Sequence, residues 1–257
     1  MSKPLATGTL LAAVIVLACS FAHAQEPLNV YVGQGQMPFA DDHPDNRGVY
    51  GDLMAELCLR LQRECRYHSV PWKRVQVEVA DDPYGIVLNL GRSAERERGF
   101  VWLLGVLPTS YVLASSQRRF DSLADALAAG PLVVMAGTPR AQEALALRKD
   151  GQVVVEVTDP EQAARMLRGG RVLSWYEIDL RVLYLWHRLG YPPEALQAGR
   201  PVSSNVSFIA GSPQLEDADA LRLQMEQAFA AMRADGSWRR ILARHLGDEV
   251  GDRLSRE

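Results

Sequence analysis

Residues 89–102 read NLGRSAERERGFVW, from Asn89 to Trp102. Ile86, Val87, Leu88 and Leu90 lead into them with one interruption, Asn89, and the length and composition are those of a short buried strand. Gly91 marks a turn. Arg92, Ser93, Ala94, Glu95, Arg96, Glu97 and Arg98 follow, and Phe100, Val101 and Trp102 carry the chain back to an apolar interior. A strand that closes in a glycine turn and presents Ser93 and Arg96 at its tip suits an anion. The guanidinium of arginine has a fixed charge and a planar fork that matches a carboxylate. The same segment also reads as a solvated face whose internal ion pairs contribute little.

Upstream, Leu28, Val30 and Val32 alternate with Asn29 and Tyr31, the pattern of a first strand. A Gly/Pro loop holds Phe39, either as a platform for a ligand or packed against its own loop. A helix begins near Val49, with Leu53, Met54, Leu57, Cys58 and Leu61 on one stripe. Residues 67–72 read as a second strand. Strand, helix and strand in succession predict right-handed crossovers in a mostly parallel sheet.

Downstream, residues 108–114 read as a connector into a second unit. There Asp121 or Ser122 caps a helix over 123–129, and residues 132–136 form an apolar strand. Thr138 is a good N-cap and Pro139 suits the first helical position, so the helix over 140–148 points its free N–H groups beyond that strand. Such an end attracts an anion or is simply a capped helix. A strand at 153–157 and a helix after Asp159-Pro160 come next. The strand at 171–175 then carries Tyr176, Glu177 and Asp179 at its C-terminal end, where open parallel sheets bind ligands. After a helix over 179–189, residues 202–210 return to the first unit. Amphipathic helices at 219–234 and 238–246 finish the chain.

The fold this predicts is α/β with two lobes. Residues 25–110 begin the first lobe, 111–204 form the second, and 205–257 complete the first. Hinges are expected near 107–113 and 199–207, with Arg96 and Thr138 facing each other across a cleft.

Lys3, an apolar run over 10–18 and Ala22-His23-Ala24 make residues 1–24 a signal peptide cleaved after Ala24; acylation at Cys19 is the alternative. Removing them takes away Lys3 and no acid, so the net charge moves from −3 to −4. That balance argues against nucleic acid and anionic membrane surfaces as partners. Cys58 and Cys65 remain, by default a disulfide in an exported chain and otherwise two buried thiols. His43, His68, His187 and His245 are scattered, with no metal-ligand spacing.

Five features now stand in order: Pro38-Phe39, Gly51-Asp52-Leu53-Met54, Ser93-Ala94-Glu95-Arg96, Gly137-Thr138 and Asp235-Gly236-Ser237-Trp238. Together they resemble family 3 of the extracellular solute-binding proteins, the polar-amino-acid type that feeds ABC importers. The resemblance implies a type II periplasmic-binding-protein fold, each lobe a mostly parallel sheet flanked by helices. It implies that Arg96 grips a ligand carboxylate with Ser93 as hydroxyl partner. Main-chain amides at Thr138 would help, although Pro139 supplies no N–H, and Phe39 would pack on the ligand. No cofactor is implied. The implied partners are a small carboxylate or amino acid and an inner-membrane ABC permease or membrane sensor, with the protein a monomer.

In the second lobe the chain departs from that pattern. The family commonly carries Gly-Arg-x-Asp-Ala and, five residues after its Asp, a second Asp for the ligand ammonium; these positions are Leu173 and Ile178 here. Glu177 or Asp179 is the substitute. Trp175 and Tyr176 either widen the aromatic contact or belong to the lobe core, and Arg92 is either a second anion contact, as in one subgroup, or a surface charge. Three functions follow from the resemblance. The first is periplasmic solute capture. The second is sensing through a membrane partner. The third is a cyclohexadienyl dehydratase-like reaction with Glu177 as general acid.

Overall fold

The computed structural model describes residues 26–256; the expected signal peptide and Cys19 lie outside the described residues. The first lobe opens with β1 (Leu28–Gly33), α1 (Gly48–Arg60), β2 (Cys65–Val70), α2 (Trp72–Asp81) and β3 (Gly85–Gly91). A long strand, β4 (Val101–Ser115), crosses to the second lobe. That lobe contains α3 (Leu123–Ala129), β5 (Leu132–Met135), α4 (Pro139–Leu147), β6 (Val154–Val157), α5 (Pro160–Arg168), β7 (Ser174–Ile178), α6 (Asp179–Arg188) and the short β8 (Gln197–Ala198). Strand β9 (Ser203–Gly211) returns, and α7 (Ala218–Ala234), α8 (Ser237–Leu246) and α9 (Asp248–Leu254) close the first lobe.

In the first lobe β1 lies between β2 and β3, parallel to both. In the second, β5 lies between β6 and β7, again parallel. Antiparallel β9 and β4 join the halves into one path, β2-β1-β3-β9-β4-β7-β5-β6. Within the two expected hinge segments, residues 107–111 of β4 and 203–207 of β9 are therefore paired with each other, with Thr109 opposite Asn205 and Tyr111 opposite Ser203.

Local chemistry explains the helix starts. Ser122 Oγ accepts from Asp125 N at 3.1 Å, and Asp159 Oδ1 accepts from Glu161 N at 2.9 Å ahead of Pro160. The stripe on α7 is buried as the periodicity predicts, at Leu221, Met225, Phe229 and Met232.

Four boundaries differ from the sequence reading. Trp72 opens α2 and does not end β2, because Pro71 sits at the N-cap with φ −54° and ψ 139° and turns the chain out of the sheet. Residues 108–114 belong to β4. Proline is tolerated at 108 because β7 pairs only from Tyr111 onward, leaving β4 one free edge there. Strand β7 begins at Ser174, since Arg171 N still bonds to Met166 O in the closing turn of α5. Helix α9 was not foreseen; its seven residues offer too few turns for a periodic signal.

Cys58 of α1 and Cys65, the first residue of β2, are joined in a disulfide. Replacing both by serine should cost about 2.5 kcal/mol for so short a loop. That corresponds to a melting temperature lower by roughly 5–10 °C in a chain of this size. A thermal melt within about 1 °C of the parent would show that the bond does not constrain the unfolded chain.

Candidate ligand-binding site

The cleft between the lobes narrows to a polar cavity with about 30 Å3 open to the centre of a water-sized sphere. A larger apolar groove, about 490 Å3 by the same measure, lies between α6 and the C-terminal helices, lined by Leu180, Leu183, Leu246 and Val250 among others. The charged chemistry belongs to the smaller space.

Arg96 stands on the turn after β3. Its guanidinium donates to Gly91 O at 2.9 Å and Gln76 Oε1 at 2.8 Å, and across the cleft to Gly137 O at 2.9 Å. Trp72 Nε1 and Gln76 Nε2 donate to the same carbonyl at 3.2 and 3.3 Å. Three first-lobe side chains thus converge on one main-chain oxygen of the second lobe. Gly137 has φ +72°, and a Cβ there would lie 2.9 Å from Lys73 Cγ, so glycine lets this turn approach α2. Burial pulls the Arg96 guanidinium down to about 10, which leaves it charged at neutral pH.

Thr138 caps α4: its Oγ1 donates to Met135 O at 2.6 Å and accepts from Ala141 N at 3.2 Å. The capping places Arg140, the second residue of α4, in the cavity wall. Arg181, near the start of α6, joins it there. Both are almost fully buried, at 3 % and 1 % exposed. Glu177 Oε1, near the end of β7, accepts from Arg140 at 2.6 Å, Arg181 at 3.3 Å and Ile178 N at 2.8 Å. Arg181 also reaches across the cleft to Gln36 Oε1 at 2.8 Å. The Arg181 guanidinium carbon lies 5.1 Å from the Phe39 ring centroid, and that of Arg140 lies 4.8 Å from Tyr111. Aromatic faces thus offset part of the desolvation of both cations. Arg96, Arg140, Arg181 and Glu177 together leave an excess of two positive charges in a buried site. Uncompensated buried charge is costly, so such a site favours anions.

The remaining wall carries hydroxyls and an amide. Ser207 accepts from Thr109 Oγ1 at 3.1 Å and shares a short hydrogen bond with Tyr50, whose phenol burial pushes up. Asn89 has φ +57° where β3 and β9 slip register, and its Oδ1 is buried without a partner among the described residues. Non-glycine residues in this left-handed region concentrate at functional sites.

Of the residues singled out from sequence, Arg96 and Thr138 line the cavity, and Glu177 sits just behind Arg140 and Arg181. Phe39 is in the first-lobe core, edge-on to Tyr50 and beneath Arg181. Ser93 occupies the turn, its Oγ buried and unpartnered among the described residues, outside the cavity wall. Arg92 pairs with Glu97 and lies over Trp102 and Phe208. Trp175 is in the second-lobe core with Val133 and Leu167. Tyr176 donates to Glu143 at 2.7 Å and stacks edge-on to Tyr111. Asp179 accepts from Leu180 N at 2.7 Å at the start of α6, where burial raises its pKa. Sequence reasoning missed Arg140, Arg181 and Asn89 as site residues. The signals were there: an arginine two positions after a capping threonine, an arginine four after Glu177, and one asparagine in an apolar strand.

Compared by sequence, the chain matches no family model and no curated protein. Solved structures share its fold. An ABC uptake transporter substrate-binding protein from Streptococcus pneumoniae, with histidine bound, superposes with a TM-score of 0.74 at 15% identity, over 87% of this chain and 94% of its own. A histidine kinase sensor domain with similarity to periplasmic binding proteins gives 0.75 at 15%, over 87% and 97%. An ancestral arginine-binding protein bound to glutamine gives 0.72 at 15%, over 88% and 100%. At these identities the likeness establishes the fold: two lobes of the periplasmic-binding-protein kind around a cleft.

Proposed function

We propose that this chain is an exported solute-binding protein that closes its cleft on a small carboxylate-bearing solute and delivers it to an inner-membrane ABC permease. The observation that carries the reading is Arg96, buried at the cleft and bonded across it to Gly137. A cation placed at the joint of two lobes couples anion binding to closure. Residues 111–204 are taken as the moving lobe, and the protein as a periplasmic monomer. No helix among the described residues is long and apolar enough to cross a membrane. Ligand sensing through a membrane partner is the second reading, supported by the likeness to a sensor domain. We read the site as binding without chemistry, because Glu177 spends Oε1 on two guanidinium groups and a main-chain N–H and is not in the cavity wall.

The test is a thermal-shift screen of the purified protein against amino acids, dicarboxylates, polyamines and aromatic acids. A ligand at about 100 times its dissociation constant adds roughly 2.7 kcal/mol. Arg96→Ala should weaken the best carboxylate by about 100-fold, in line with the 2–5 kcal/mol lost on truncating a buried charged partner. Unchanged affinity in that variant would overturn the assignment, and circular dichroism would confirm that it folds.

A further inference from the structure

We infer that this cleft selects a small dianion over a zwitterion, an inference that rests on the solute-binding reading above. Charge is the first argument. Arg96, Arg140 and Arg181 all stand in the cavity wall and all are at least nine-tenths buried. The acid they share is Glu177, which lies behind two of them and faces the guanidinium groups, not the cavity. The excess of two positive charges is neutralised by one doubly charged ligand and only half neutralised by a monoanion. A zwitterion adds no net charge at all.

Directed donors are the second argument. The Nε groups of Arg140 and Arg181 are buried with no partner among the described residues. Each is an N–H that an anionic oxygen can satisfy, and buried donors gain most from a charged acceptor. The two residues come from the N-terminal turns of different helices, α4 and α6, and both stand in the cavity wall.

The third argument concerns the ammonium of an amino acid. It requires an acceptor, and the main ones here are already engaged, Asn89 Oδ1 and Glu177 Oε2 being the buried acceptor oxygens near the site without a partner among the described residues. Glu177 Oε1 takes two guanidinium groups and Ile178 N, Gly137 O takes three side-chain donors, and Gln36 Oε1 takes Arg181. The face of Tyr111, which would otherwise receive a cation, is covered by Arg140. An ammonium in this cavity would meet like charge. Size is the last argument. The space of about 30 Å3 open to the centre of a water-sized sphere favours a small ligand, such as a short dicarboxylate or a tetrahedral oxyanion.

Isothermal titration of the purified protein tests this. The probes are oxalate, malonate and succinate; sulfate and phosphate; acetate as monoanion; and glycine, glutamine and histidine as zwitterions. The expected result is that one of the dianions binds at least 100-fold more tightly than acetate or any zwitterion. The dicarboxylate and oxyanion arms separate the two sources of double charge. Arg181→Met and Arg140→Met should each weaken that dianion by 10-fold or more and narrow its margin over acetate. The ranking of ligands by the unmodified protein decides the matter even where a variant folds poorly. A zwitterion that binds more tightly than every dianion overturns the inference and leaves the solute-binding reading standing. An absence of binding across all four classes overturns both.

Discussion

Glu177→Gln should lower the melting temperature by roughly 6–20 °C. The substitution keeps the side chain's shape and removes its charge. Arg140 and Arg181, both buried against Glu177 Oε1, are then left with no counter-charge, and Arg96 lies in the same cavity wall. Removing one partner of a buried ion pair costs about 3–5 kcal/mol, because the remaining charge is stranded away from water. In a chain of this size each kcal/mol is worth about 2–4 °C. Differential scanning calorimetry measures it. The double variant Glu177→Gln/Arg181→Met should recover part of the loss, since it removes one of the stranded cations; groups in one network are not additive. A single variant as stable as the parent would mean that Glu177 does not hold the cluster together.

Gly199→Ala should cost about 3 kcal/mol or more, the upper end of what overpacking a buried site costs. A Cβ at this position would lie 1.6 Å from Phe120 O and 2.7 Å from its carbonyl carbon. Neither is the end of a flexible side chain, so backbone must move. There is little freedom for that: Gly199 N donates to Leu113 O at 3.1 Å, and Arg200 N donates to Asp121 Oδ1 at 2.7 Å. Residues 199–202 lead from β8 into β9, and β9 carries Ser207 to the cavity wall. The variant should therefore lose affinity for the cleft ligand together with stability. Thermal melts and titration of the same sample would show it, and a melting point within about 1 °C of the parent would mean the Phe120 segment yields easily.

The resemblance anticipated the two-lobed fold, and the element order had strong local causes. Capping residues at Ser122, Thr138 and Asp159 each bond the main chain as their types predict. The exceptions share a cause. Residues 108–114 carry Pro108, a local breaker signal that lost to pairing with β9 far along the chain. Trp72 looked like the end of an apolar strand until Pro71 redirected the chain.

The candidate site was legible at one end only. Arg96 and Thr138 carry local signatures, a charged tip after a glycine turn and a cap before a proline. Phe39 and Trp175 carry aromatic signatures that suit a binding platform and a hydrophobic core equally, and burial placed both in cores. Arg140 and Arg181 read locally as ordinary helix residues. Only the packing of α4, α6 and β7 buries them together and sets Glu177 between them.

The residues by themselves determined the order of the strands and helices and most of their ends, that the cysteines of α1 and β2 were within reach of each other, and that a fixed cation stands after β3. Short-range terms control these: backbone capping, hydrophobic period and turn chemistry act over a few residues. The tertiary structure alone decided the sign and size of the cleft's charge. That property is a balance between buried charges spread over 85 residues of chain, from Arg96 through Arg140 and Glu177 to Arg181. Desolvation and pairing, which set the cost of each charge, exist only once the lobes have packed.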